Sequence, residues 1–285
     1  MLDLHNHTTY SDGTLSPATL VQEAITAGVK ALAITDHDTL AGWDEAFSAA
    51  GDALEIVPGV ELSTTENGRS LHVLGFYPNR DALDPALQER LAVRRQRAAA
   101  MVDRLAELGY PITLPAMEGN RAPGRPHLAA AMVAAGYANS MDEVFDRWLG
   151  DHGPAYVPYA EFSAADGIRL LRACGAVPVW AHPYLFRGGT VDKTLPKLVE
   201  AGLMGIEVYH PSHSPSDVRR LEAFCQRYGL VMTGGSDYHG PSPDAARAKS
   251  QTRLNQLQLS MALLEPLRQA KTSLEASLQA AVHAQ

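Results

Sequence analysis

Residues 2–14 read LDLHNHTTYSDGT, an apolar start followed at once by two histidines one residue apart and then by Asp12. In a strand over residues 2–6 side chains alternate, so Leu2, Leu4 and Asn6 face one way and Asp3, His5 and His7 the other. His5 and His7 then point into one space. Two imidazoles aimed at one point can bind a divalent metal, whereas two buried histidines without partners are costly because their ring nitrogens lose water. The reading of the fold turns on whether other strands bring similar groups to the same place.

Outward from this stretch, each strand-like run carries such a group. TDHD (35–38) holds His37, GVELS (59–63) holds Glu61, SLHVLG (70–75) holds His72, AVPVWAHP (176–183) delivers His182, and GGSDYH (234–239) carries Asp237 and His239. Amphipathic segments separate the runs. SPATLVQEAITAG (16–28) has Ser16 as N-cap, Pro17 at the first helical position and Gly28 just past the end. The pattern resumes near Phe162, with helices expected over 164–175, 191–202 and 216–229 and strands between them. Alternating strands and helices predict an α/β fold with a mainly parallel sheet or barrel. Strand C-termini of such barrels converge on one face, which would gather His5, His7, Asp12, His37, Glu61, His72, His182, Asp237 and His239 at one mouth. Imidazoles with carboxylates and no cysteine form the donor mixture preferred by Mn, Fe or Zn.

The middle of the chain differs. From about Asp84 to Pro158 it reads as helices only, including PALQERLAVRRQRAAAMVDRLAELG (85–109) and shorter ones starting near Pro126 and Ser140. The expected organisation is a barrel over 1–80 and 159–285, ending in a helical tail broken or kinked at Pro266, with an inserted helical, substrate-binding subdomain over 81–158. In the insertion, RAPGRPHLAAAM places Arg121, Arg125 and His127 at a helix start, where unpaired N–H groups and the dipole favour an anion such as a second phosphate. Arg187 after AHPYLF, and His210 and His213 in VYHPSHSP, are further candidates near the mouth.

At 285 residues and 46% hydrophobic the chain can bury a large core. A net charge of −8 argues against an extended nucleic-acid-binding face but leaves room for arginines that hold one or two phosphates. Neither a membrane-spanning run nor a signal segment is evident, so a cytoplasmic protein is expected. Cys174 and Cys225 sit in apolar, helix-like settings and read as small core residues.

Taken in order, HNHTTYSDGT, AITDHDTL, GVELS, LHVLG, AHP and GSDYH closely resemble the successive motifs of the PHP family, named for polymerase and histidinol phosphatase. The resemblance covers about Met1 to Pro78 and Phe162 to Gly240. The helical insertion resembles the stand-alone bacterial branch that includes nucleoside 3',5'-bisphosphate phosphatases. The family implies a distorted seven-stranded, TIM-like βα barrel holding two or three divalent metal ions, Mn foremost, with Fe or Zn as alternatives. Position by position, it implies that His5, His7, Glu61 and Asp237 hold one metal, Glu61, His72 and His182 a second, and Asp12, His37 and His239 a third.

Glu61 is the natural bridge, because a carboxylate can offer one oxygen to each of two cations. Paired cations acidify water and neutralise the phosphate it attacks, which is the chemistry of phosphoester hydrolysis. Catalytic roles are therefore expected for His5, His7, Glu61, His182, Asp237 and His239, and substrate binding for Arg121, Arg125, His127, Arg187 and His210. The expected reaction converts a nucleoside 3',5'-bisphosphate to the 5'-monophosphate and phosphate. Trimming of short RNA from its 5' end, histidinol phosphate hydrolysis and a non-catalytic regulatory role are the alternatives.

Overall fold

The computed structural model describes residues 1–114, 123–158, 162–241 and 252–283. Short apolar strands pair in sequence order: β1 (Leu2–Asp3), β2 (Ala31–Ile34), β3 (Glu55–Glu66), β4 (Arg69–Phe76), β5 (Val177–Trp180), β6 (Gly205–Tyr209) and β7 (Val231–Gly234) form one seven-stranded sheet. The sheet nearly closes on itself. Leu4 donates its N–H to the Gly234 carbonyl at 3.1 Å, and Asn6 forms a bridge with Tyr238, so the chain after β1 meets the chain after β7. The result is a distorted barrel flanked by helices α1 (Pro17–Thr26), α2 (Trp43–Ala50), α6 (Ala164–Ala173), α7 (Val191–Glu200) and α8 (Pro215–Tyr228), while α3 (Arg80–Glu107), α4 (Arg125–Ala134) and α5 (Met141–Val144) lie between β4 and α6 in the chain.

One expectation about the strands needs correction. The first strand ends at Asp3 rather than Asn6, because its parallel pairing with β2 stops at Asp3 and Leu32. Strict alternation fails there: Asn6 Nδ2 donates to the Asp3 carboxylate at 3.2 Å, so these two side chains meet. The sheet is mainly parallel, as expected, with one exception: β4 runs antiparallel to both β3 and β5. The cause is a two-residue hairpin at Asn67 and Gly68, both with positive φ (50° and 70°), the backbone that an Asn-Gly turn adopts between strands. Reversal of β4 brings its first half, with His72 opposite Ser63, to the mouth.

Apolar residues precede the polar ones along the parallel strands and follow them on β4. Leu2, Leu4, Ala31, Ala33, Val57, Leu74, Phe76, Val177 and Val179 form one buried cluster, joined by Leu264 and Leu267 of α9 (Leu264–His283). Pro266 does not break that helix. It lies in the first turn, where its missing N–H would have no intrahelical partner anyway.

The chain divides into two compact units, residues 1–85 with 161–285 and residues 86–160. The second starts later than the expected residue 81, because the first turn of α3 (Arg80–Glu107) is tied to the first unit. Arg80 pairs with Asp44, and Asn79 donates its N–H to the Cys174 carbonyl. The second unit is helical, with α4 (Arg125–Ala134) and α5 (Met141–Val144), which runs on into a π turn over Phe145–Leu149. It has its own core, including Met101, Leu105, Leu128, Met132 and Trp148. Among the described residues no helix is long and apolar enough to cross a membrane.

Candidate metal centre

Glu61 stands at the centre of the mouth, 1% exposed, and its two oxygens serve different neighbours. Oε1 lies 2.8 Å from His72 Nδ1 and 3.0 Å from His182 Nε2. Oε2 lies 3.2 Å from each of His5 Nε2, His7 Nε2 and His37 Nδ1. Asp237 Oδ1 closes the second set, 3.4 Å from His5 Nε2 and 3.2 Å from His7 Nε2. Asp12 stands further out, within 3.4 Å of His7 and His239 and 3.7 Å of His37. The structure thus brings together all the ligand candidates that the sequence places at strand ends.

Among the described residues, three groups have donor atoms close enough to share an ion: His5, His7, Glu61 and Asp237; His7, Asp12, His37 and His239; and His37, Glu61 and His72. The residues fit cations by a direct test. His5 Nε2, His7 Nε2 and His37 Nδ1 are buried and make no hydrogen bond among the described residues, although each faces Glu61 Oε2. Leaving three imidazole nitrogens desolvated is costly, and a cation shared with the carboxylate would satisfy them together.

The local backbone is shaped to aim these groups. His182 (φ 32°), Asp237 (φ 53°) and Asp38 (φ 52°) occupy the left-handed region, which non-glycine residues enter at a cost and which clusters at functional sites. Gly235 is required by close approach, since a Cβ there would overlap the backbone N and Cβ of His5. Asp36 accepts from Thr8 N–H at 2.7 Å and from the Ser11 hydroxyl at 2.6 Å, securing the turn after His7. Asp38 accepts the Ser63 N–H at 2.8 Å.

Charge is distributed unevenly. Burial alone would raise the Glu61 carboxyl, yet His37, His72 and His5 hold it well below the usual carboxylate range. Asp237 and Asp12 are held low against burial in the same way, by His5 and His37 respectively. Burial opposes protonation of His7, but Asp237 and Glu61 override it and push the ring up to about 10. At His37 burial prevails over Glu61 and Asp12, and the ring falls to about 4.

Sequence reasoning missed Glu207. It is buried in β6 and lies 2.9 Å from His5 Nδ1. The signal was a lone carboxylate inside GIEVY, an otherwise apolar strand. His210 packs against the centre, with Nε2 3.6 Å from Asp237 Oδ2. His213 lies behind it, its ring 5.3 Å away. Arg187 is exposed and donates to the Tyr184 carbonyl at 3.5 Å. In the second unit, Arg125 donates to the Leu149 carbonyl and to Asp151 at 3.0 Å and lies over the Tyr156 ring. His127 accepts the Gly124 N–H. Arg121 lies outside the described residues. Beside the centre in the first unit is a cavity of about 310 Å³, lined by His37, Glu61, His72, His182, Asp237 and His239 among others, at the small end of the range for small-molecule sites.

Comparison with known proteins gives a consistent result. The family described as PHP domain matches residues 3–145. A phosphoribosyl 1,2-cyclic phosphate 1,2-diphosphodiesterase of Eggerthella lenta is 37% identical over 84% of this chain and 94% of its own. A 5'-3' exoribonuclease of Haemophilus influenzae is 34% identical, covering 84% and 90%. A 3',5'-nucleoside bisphosphate phosphatase of Chromobacterium violaceum is 30% identical, covering 84% and 87%. The solved structure of a Bifidobacterium adolescentis protein, described as a candidate metal-dependent phosphoesterase, superposes with a TM-score of 0.83 at 30% identity, covering 94% of this chain and 96% of that one.

Proposed function

Since the chain belongs to the PHP domain family and is a metal-dependent phosphoesterase, we propose that its substrate is a nucleoside 3',5'-bisphosphate, cleaved to the 5'-monophosphate and phosphate. The observation that carries the reading is Glu61, whose two oxygens each face a separate set of imidazoles. His5, His7, Asp237 and Glu61 Oε2 would hold one cation, and His72, His182 and Glu61 Oε1 a second. Asp12, His37 and His239 would hold a third, and Mn is our first choice of metal. Such ions, when bound, supply an acidified water and a positive clamp for the phosphate under attack.

The chain's own groups do the rest. His239 and Asp12 are the open members of the set, with side chains 37% and 27% exposed, so the leaving oxygen would collect its proton at this edge. His210 would steady Asp237 from behind. Recognition of the non-reacting phosphate is assigned to Arg125, whose guanidinium can grip a phosphate with two parallel hydrogen bonds once it releases Asp151. Arg121, His127 and Arg187 are secondary candidates. A cytoplasmic location belongs to the same proposal. Removal of nucleotides from short RNA is the second reading, favoured by the exoribonuclease relative.

The test is turnover of a panel by Mn-reconstituted protein: adenosine 3',5'-bisphosphate, AMP, histidinol phosphate and short oligoribonucleotides. Highest kcat/KM on the bisphosphate, with AMP as product, is expected. Faster release of nucleotides from the oligoribonucleotides would favour the second reading, and an inert bisphosphate would end the first.

A further inference from the structure

Glu207 is fully buried, and both its oxygens act on candidate metal ligands. Oε1 lies 2.9 Å from His5 Nδ1, and Oε2 accepts the backbone N–H of His182 at 2.7 Å. An ionised carboxylate only accepts, so a neutral His5 ring bound to a cation would keep its proton on Nδ1 and turn the Nε2 lone pair to the side where Glu61 Oε2 and Asp237 Oδ1 lie. The second oxygen acts on the backbone. His182 holds φ 32° and ψ 61°, a conformation with a cost for any side chain, and its N–H is secured there by Glu207. So held, His182 Nε2 reaches Glu61 Oε1 at 3.0 Å. One carboxylate therefore aims one nitrogen at each of the two oxygens of Glu61.

We propose that Glu207 is a positioning residue that couples the first and second metal positions, so that disturbing it weakens both together. The inference rests on the reading of Glu61 as a bridge between two cations. Glutamine separates the coupling from simple packing, because an amide of the same shape has one accepting oxygen and one donating nitrogen. With its oxygen on His182 N–H, its NH₂ faces His5 Nδ1 and drives the ring proton to Nε2, towards the cation. Turned the other way, the NH₂ faces another donor at His182 and destabilises that conformation.

The experiment strips wild type and Glu207→Gln with chelator, titrates both calorimetrically with Mn²⁺ and Zn²⁺, and records imidazole ¹⁵N spectra of the zinc-loaded proteins. Wild type should bind at least two ions and carry the His5 proton on Nδ1. The variant should lose about tenfold or more in affinity at both of the first two positions. Unchanged affinities, a loss at one position only, or a wild-type His5 with its proton absent from Nδ1 would each overturn the proposal. Should Glu207→Gln not fold, Glu207→Asp carries the same titration, since a side chain one methylene shorter keeps the charge but cannot reach both partners. Wild type that binds no ion would instead overturn the metal reading itself.

Discussion

Among single residues, Glu61 decides the chemistry through the atoms that face its two oxygens. His72 and His182 share its Oε1, so His72→Ala or His182→Ala should empty the second position and lower turnover by orders of magnitude, with the metal content of each variant measured alongside. A variant with normal turnover would show the site to be misassigned. The protonation pattern gives a further expectation. Burial works against a proton on His7, but the surrounding carboxylates raise it to about 10, so the metal-free ring is protonated at neutral pH. A cation must displace that proton, so metal affinity should rise with pH from mildly acidic to mildly basic conditions and binding should release protons. Calorimetry in buffers of different ionisation enthalpy reads the release, and a pH-independent affinity would contradict it. On the proposed phosphate-binding role of Arg125, Arg125→Ala would remove charge-assisted hydrogen bonds of roughly 1.5 to 3 kcal/mol each, so kcat/KM on a bisphosphate should fall at least about tenfold relative to a simple aryl phosphate. An unchanged ratio would reduce Arg125 to its contacts with Leu149, Asp151 and Tyr156. The ligand candidates were legible because strand ends advertise them. Glu207 was not, since a single acidic residue in a strand says nothing of a histidine 202 positions away.

At the scale of the element, the repeating strand and helix pattern was legible, and so was the capping of α1 by Ser16, whose hydroxyl accepts from the Thr19 N–H. The direction of β4 has a local signal in the sequence. Asn67-Gly68 between two strand-like runs is a hairpin signal, and it sets β4 antiparallel within a mainly parallel sheet. The short β1 was not legible, because its pairing ends where the chain turns to meet Tyr238, a contact remote in sequence. The end of β7 offers a test at this scale. Gly235→Ala forces a methyl into the backbone of His5, and overpacking of this kind costs about 1–3 kcal/mol. Thermal unfolding should show a lower Tm, and elemental analysis a depleted first metal position; wild-type values for both would mean that the two segments separate easily.

At the scale of the whole molecule, composition and charge bounded the chain to a large-core α/β protein, while the division at residues 86–160 followed from helices with a core of their own. Arg80 and Asn79 tie the start of α3 to the first unit, a tertiary fact absent from local pattern. The barrel serves one end, collecting groups from β1 to β7 around Glu61 while apolar side chains and α9 fill the other. The central claim is that this end is a multinuclear metal centre that hydrolyses phosphate esters. Its most direct test is elemental analysis of the purified protein paired with phosphoesterase activity before chelation, after chelation and after return of Mn²⁺, Fe²⁺, Co²⁺ or Zn²⁺. Two or three ions per chain are expected, with activity lost on their removal and restored by at least one of the metals. A protein that holds no metal and gains no activity from any of them would contradict the account.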